Sequence, residues 1–461
     1  MGEHVNLKPG EARCDAPSYQ DILDKDSKEA PASLRAQSAP FLGDEAIPAA
    51  HYTSQEFFDQ EVEKMWSRTW QMACREEEIP EVGDYMTYDI VGKSFLIVRT
   101  KPDEIKSYYN SCLHRGTKLK HDQGCANQFR CPFHGFTWNL DGSFKSNPTQ
   151  WDFPHLTPEK LQLPETLVDT WGGFVFINMD LNARPLYEVL DILPEHFQRW
   201  KVEDCYKSIH VAKVVKANWK VVSEAFMESW HTIDTHPQIM PYLACANSQY
   251  DVFTDHITRQ ISATGEPSPH VYDKNYSEQE ILNSMTATSG RVEDDSGLKV
   301  PDGQKARAFM AEVSRQAFSA EDGHDYSDKS DAEMLDALLY NVFPNLSVWA
   351  GFPPNLVYRW RPNGRDVNSA IMEVMWLKRC PKGKPRPEPV PVHWLTEDQK
   401  WTDAEELGGL ADIFEQDMGN LPYVQEGLHA SGTGEVHFGN YQEMRIRQHH
   451  ITLKKYLNDE Y

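Results

Sequence analysis

Two Cys/His pairs, Cys112 with His114 and Cys131 with His134, stand sixteen residues apart. Each pair can present both side chains from one tight loop, and the stretch between them is long enough to bring the second loop opposite the first. Two thiols and two imidazoles form a metal-ligand set. Structural zinc accepts such a set, but its common sequence form keeps the cysteines together and the histidines together. A two-iron, two-sulfur cluster with two cysteines on one iron and two histidines on the other takes one of each from each loop. The mixed order favours the cluster, with a zinc-binding module as the alternative. Arg115, Gly116, Gly124, Pro132, Gly135 and Trp138 surround the pairs as loop-forming or packing residues.

A second constellation follows. After Asn218, Trp219 and Lys220, the apolar Val222, Phe226 and Trp230 recur at helical spacing. On this helix Glu228 lies three residues before His231, so the two share a face. His236 comes five residues after His231, and Pro237 ends the helix there, letting His236 swing back. Two imidazoles and a carboxylate on a non-haem Fe(II) leave positions where oxygen and substrate can meet.

These groups need a scaffold. Residues 1–48 form a polar leader with no sustained apolar period, a mobile arm or a segment wrapping a surface. From Thr53 to Trp70, Phe57, Phe58, Val62, Met65 and Trp66 mark an amphipathic helix. Tyr85–Val91 and Ser94–Thr100 flank Gly92 and Lys93 as a hairpin, and Trp171–Asn178 reads as a buried strand. A small β-rich domain, residues 49–180, thus encloses the first constellation. The second domain, residues 181–461, opens with a strand near His210–Lys216. Glu266–Asp328 is acidic and turn-rich, and Met334, Leu335, Leu338 and Leu339 mark a helix. Leu346–Ala350, Leu356–Trp360 and Ser369–Leu377 read as strands, Pro381–Pro391 as an extended connector, and Gln442–Leu457 as a last helix.

Composition narrows the function. The 461 residues suit two or three domains. With 70 acidic against 46 basic residues the net charge is −24, which argues against nucleic acid as the main partner. No apolar run suits a membrane span, and a soluble, cytoplasmic protein is expected. Six cysteines outside the pairs, Cys125 among them, follow no disulfide pattern. Arg115, Lys118, Lys120 and Arg130 make the cluster stretch locally basic, a docking face for an acidic electron donor.

Both constellations together resemble the catalytic subunit of Rieske non-haem iron oxygenases, also called ring-hydroxylating oxygenases, from about Thr53 onward. The resemblance implies an α+β chain: a small all-β Rieske [2Fe-2S] domain joined to a larger catalytic domain with an antiparallel sheet covered by helices. It implies that Cys112, His114, Cys131 and His134 hold the cluster and that His231 and His236 hold a mononuclear iron. It implies a C-terminal aspartate as third iron ligand, and Asp417 is placed in that role by its setting in Phe414, Glu415, Gln416, Asp417, ahead of Gln425, Gly427 and Leu428; Asp412 is the fallback. Where the family usually has an aspartate linking the iron site to a neighbouring subunit's cluster, this chain has Glu228, as in a branch acting on quaternary amines such as carnitine. Where the family often has asparagine near the iron stands Glu224, with no assigned role. Electrons from NAD(P)H through a separate reductase, with or without a ferredoxin, are implied, as is a head-to-tail homotrimer, with or without a β subunit. The implied activity is hydroxylation or oxidative demethylation of a bulky apolar or aromatic substrate. Phe226, Met227, Trp230, Met240, Tyr242, Phe343 and Trp349 are candidate pocket residues. A quaternary-amine monooxygenase is the alternative, and a non-catalytic redox or zinc-binding protein the alternative of another class.

Overall fold

The computed structural model describes residues 7–288, 297–353 and 355–461. The first six residues of the leader and residues 289–296 of the acidic stretch lie outside them.

β-rich sequence with a tight glycine turn dictates the first sheet. Asp84–Ile90 pairs with Lys93–Lys101, and the turn uses Val91 and Gly92, both at positive φ (46° and 79°), as a two-residue hairpin of the right twist requires. Lys93 therefore belongs to the strand. Trp171 ends the strand Glu165–Trp171, and Gly172 and Gly173 (φ 61° and 79°) turn the chain into Phe174–Asn178, so the expected single strand is a hairpin. Seven strands make this sheet, in the order 71–75, 174–178, 165–171, 104–109, 93–101, 84–90, 123–125. A three-stranded sheet of Phe129–Arg130, Thr137–Trp138 and Phe144–Ser146 carries the second Cys/His loop.

The larger sheet has eight strands, in the order 249–252, 257–262, 337–342, 346–349, 355–362, 370–379, 205–215, 393–394. Its pairs are antiparallel except the last, where His393–Trp394 runs parallel to Cys205–Val215. Helices Trp219–Glu224, Leu410–His429 and Met444–Leu457 pack on it. The helix expected to include Leu338 and Leu339 stops at Leu335, and both leucines lie on the strand Ala337–Val342; Asp336, extended at ψ 154°, makes the break. The acidic stretch builds the helix Ala306–Asp322, which buries Ala306, Met310, Ala311, Ser314 and Arg315. Small and polar residues on that buried face hide its period from a hydrophobicity reading.

One segment ties the halves together and a second wraps the larger half. The helical run expected from Thr53 begins at Ala50, breaks at Ser54, resumes over Gln55–Gln60 and closes as a π-turn over Glu61–Trp66. Its Glu61 accepts from Lys220 Nζ at 2.5 Å and Trp219 Nε1 at 3.0 Å, a fully buried ion pair that also fixes the helix leading to the second constellation. The leader is the wrapping segment of the two forms expected. Tyr19 donates to Asp336, Ser27 to Asp331, and Asp26 pairs with Arg307 at 2.9 Å. Among the described residues no helix is long and apolar enough to cross a membrane.

Candidate metal centres and cavity

The two Cys/His loops repeat one hydrogen-bond pattern. Gly116 N–H donates to Cys112 O at 2.8 Å and Cys112 N–H to Thr117 O at 2.9 Å; Gly135 N–H donates to Cys131 O at 3.1 Å and Cys131 N–H to Phe136 O at 2.8 Å. Both glycines sit in the left-handed region, at φ 79° and 76°, where a side chain costs energy. Each loop thus carries its cysteine inward: Cys112 and Cys131 are buried and close enough to hydrogen-bond through their thiols. Burial raises the Cys131 thiol, but the N–H groups of Phe133 and His134 together with the side chains of Cys112 and Thr117 outweigh it, so its net shift is downward. The imidazoles of His114 and His134 lie 4.7 Å apart edge-on, and His114 stacks on Phe136 at 4.8 Å. His114 Nδ1 is buried without a hydrogen-bond partner, a lone pair an iron would satisfy. Two facing thiols, two adjacent imidazoles and that orphaned nitrogen fit a [2Fe-2S] cluster of mixed ligation. Of the basic residues nearby, Lys118 is paired with Asp89 at 2.9 Å and Arg115 lies over the exposed Phe133 ring. Cys125 is exposed on the edge strand Gln123–Cys125.

The second constellation starts where Asn218 caps the helix Trp219–Glu224, its side chain accepting from Lys220 N–H at 3.0 Å. That helix ends at Glu224, and the chain re-enters helix only at Thr232–Thr235. Glu228 and His231 therefore do not share a continuous helix face, as the spacing had suggested. Instead the Glu228 carboxylate accepts from the backbone N–H of Trp230 at 2.7 Å and of His231 at 3.1 Å, folding the turn around itself. A carboxylate capping free N–H groups in this way is the reason the helix breaks. The same carboxylate lies 2.6 Å from His231 Nδ1.

Asp417 comes from the helix Leu410–His429, held beside this turn by Gln425, whose Oε1 accepts from Asn218 N–H at 3.0 Å. Asp417 Oδ1 is 2.8 Å from His236 Nε2 and 3.7 Å from His231 Nε2. One ligand atom from each of His231, His236 and Asp417 fits within 4.8 Å of the others. The fallback Asp412 is exposed and outside this group. Both imidazoles have Nδ1 occupied: His231 by Glu228, and His236 by Gln416 Oε1 at 2.8 Å. That sets the tautomer and turns both Nε2 lone pairs toward Asp417. Two nitrogens and a carboxylate converging with one side open fit a non-haem Fe(II). Burial lowers the affinity of His231 for a proton, yet Glu228 and Asp417 reverse this and hold its pKa above the ordinary value. Gln416 escaped the sequence reading; its only signal was adjacency to Asp417.

The ligand group lies on the wall of a cavity of about 180 Å³. Of the candidate pocket residues, Phe226, Tyr242 and Trp349 line it, joined by Leu339, Tyr358 and Phe414. Met227, Trp230, Met240 and Phe343 do not; Trp230 is 45% exposed, and Phe343 stacks on Tyr456. Glu228, His231 and Asp417 also face a separate, more open groove of about 710 Å³. Glu224 lines that groove too, buried, 2.9 Å from both Tyr52 Oη and His450 Nε2, with its carboxyl pushed up to about 8 by burial.

Residues 69–157 match the Rieske [2Fe-2S] domain, and residues 195–459 match the ring hydroxylating alpha subunit (catalytic domain). The carnitine monooxygenase oxygenase subunit of Escherichia coli K12 is 31% identical over 200 residues, 41% of this chain and 52% of that subunit. The chain thus matches about half the length of this curated relative. A quaternary ammonium Rieske monooxygenase structure superimposes at TM-score 0.63 with 19% identity, over 89% of this chain and 95% of its own. A naphthalene 1,2-dioxygenase structure with bound indole gives TM-score 0.63 with 16% identity, over 91% and 93%.

Proposed function

The chain belongs to the Rieske ring-hydroxylating oxygenase family, and from that premise we propose that it is the terminal oxygenase component of a multicomponent system. It takes NAD(P)H-derived electrons from a separate reductase, directly or through a ferredoxin, and uses O2 to hydroxylate or oxidatively demethylate a bulky apolar or aromatic substrate. In this reading residues 49–180 form the electron-entry domain and residues 181–461 the catalytic domain. Cys112, His114, Cys131 and His134 hold the cluster; His231, His236 and Asp417 hold the iron. When bound, the two metal groups supply electron storage and oxygen activation.

The chain's own residues prepare that chemistry. Glu228 and Gln416 keep His231 and His236 in the tautomer that offers Nε2. Phe226, Trp349, Tyr358 and Phe414 exclude water from the cavity and hold an apolar body beside the ligand group. Glu228 also faces the open groove, whose rim carries the exposed Tyr423 and Val424. The Rieske tip presents the exposed Phe133 and His134. We assign the groove to the tip of a neighbouring copy in a head-to-tail homotrimer, with Glu228 bridging the two metal centres.

The observation that carries the proposal is the convergence of His231, His236 and Asp417 on one wall of an aromatic-lined cavity. Anaerobic metal and acid-labile sulfide analysis tests it: about three irons and two sulfides per chain are expected, and zinc without sulfide would overturn it. A quaternary-amine substrate is the second reading, favoured by Glu228 at the bridging position and by the aromatic faces of the cavity, which can hold a cation. A turnover screen of aromatic acids, terpenoids, steroids and betaines separates the two, since oxidation of betaines alone selects the second.

A further inference from the structure

The cavity has a polar side that the metal ligands do not account for. Gln260 and Ser262, two apart on the strand Ile257–Ser262, and Thr264, which continues the alternation in a β-bridge to Leu243 just beyond it, line it together. Behind them sits Arg445 on the helix Met444–Leu457, fully buried. Its guanidinium donates to Gln260 Oε1 at 3.0 Å, Thr258 Oγ1 at 3.2 Å and Met227 O at 3.3 Å, and to Asn341 Oδ1. All four acceptors are neutral.

This fixes Gln260 chemically. A guanidinium has donors and no acceptor, so only the amide oxygen can face it. The amide nitrogen is then turned away from Arg445. Among the described residues its acceptor is Ser262 Oγ at 3.4 Å, a long contact, while Ser262 Oγ is engaged by Ser248 Oγ at 2.6 Å. One Gln260 N–H is thereby left for the cavity, on an amide polarised by the cation at its oxygen.

We propose that Gln260 is a substrate-recognition residue whose N–H donates to a carbonyl or carboxylate oxygen of the substrate, with Arg445 as the positioning residue behind it. An electron-rich oxygen there places partial or full negative charge one amide away from a cation whose hydrogen-bond acceptors are all neutral. Among the described lining residues there is no Lys or Arg to compete for that oxygen. The apolar remainder of the substrate lies against Phe226, Trp349 and Tyr358. The proposal rests on the oxygenase reading and narrows its substrate class.

The test is calorimetric titration of the iron- and cluster-loaded protein, anaerobic and without reductant, with indane, 1-indanone and indane-2-carboxylate. At least one oxygen-bearing ligand is expected to bind about tenfold tighter than indane; a preference for the ketone marks a neutral carbonyl, and a preference for the acid alone marks a carboxylate. Gln260→Glu keeps Arg445 paired and so keeps the fold, but it replaces the donor with an acceptor and is expected to erase the preference while leaving the indane Kd within about twofold. Equal binding of all three ligands, binding of none, or a preference that survives Gln260→Glu overturns the proposal. Failure of the oxygenase reading shows separately, as missing iron or sulfide before any ligand is added.

Discussion

The two Cys/His pairs come from 23 consecutive residues, Cys112–His134, whereas His236 and Asp417 meet across 181 residues of chain. The first site positions itself: each loop closes on its own backbone through the same pair of bonds and a left-handed glycine. The second exists only after the helix Leu410–His429 has docked and Gln425 has found Asn218. Local sites are set by turn chemistry and distant ones by packing, so damage to one need not reach the other.

Four substitutions can break or sharpen that contrast. The largest effect is expected from Asp417→Ala or His231→Ala, which should lower turnover by more than ~100-fold and empty the mononuclear site. The visible spectrum of the cluster should stay unchanged, and its loss would show that the two centres are not independent. Gln416→Leu frees His236 Nδ1 without touching a ligand atom; equilibrium titration with Fe(II) should show affinity down by about 10–100-fold. Gly135→Ala puts a Cβ 2.9 Å from Arg130 Nη2 and 3.2 Å from Pro148 Cγ, at φ 76°. It should cost ~1–2 kcal/mol in the Rieske domain, read as cluster lost on mild heating while mononuclear iron is retained.

The smallest effect concerns pH. Glu224, surrounded by Tyr52, His450 and Lys220, has its carboxyl raised to about 8 by burial. The native state therefore holds a proton that the unfolded chain has released, and stability falls as pH rises from the ordinary carboxylate range toward 8. Glu224→Gln should remove this slope and stabilise the protein at pH 8 by ~1 kcal/mol or more relative to pH 5. Thermal melts at the two pH values decide it, and an unchanged slope assigns the dependence to other groups.

The contrast also governs what the sequence could reveal. Both Cys/His loops were legible because type, spacing and flanking glycines lie within one short stretch. His231 and His236 were legible as a pair, but the turn between Glu224 and Thr232 was not, because the Glu228 carboxylate that folds it looks on paper like any polar residue on a helix. Asp417 was reached only through its resemblance to a known pattern. Gln416, Gln260 and Arg445 were invisible, since each acts on a partner far away in the chain and none belongs to a spaced motif. Apolar residues sort in the same way: Phe226 and Trp349 reach the cavity while Met227 and Phe343 line a separate small one beside Arg445, and composition does not distinguish them.

The leader carries a last consequence, in the order of synthesis. Asp26 and Ser27 are translated some 300 residues before Arg307 and Asp331, the groups they bind. At ribosomal rates of ~5–20 residues per second the leader waits about 15–60 s for its partners. Tyr19 likewise waits for Asp336, its hydrogen-bond partner far along the chain. This early segment is thus among the last to settle, and it closes the catalytic domain like a strap fastened after the contents are in place.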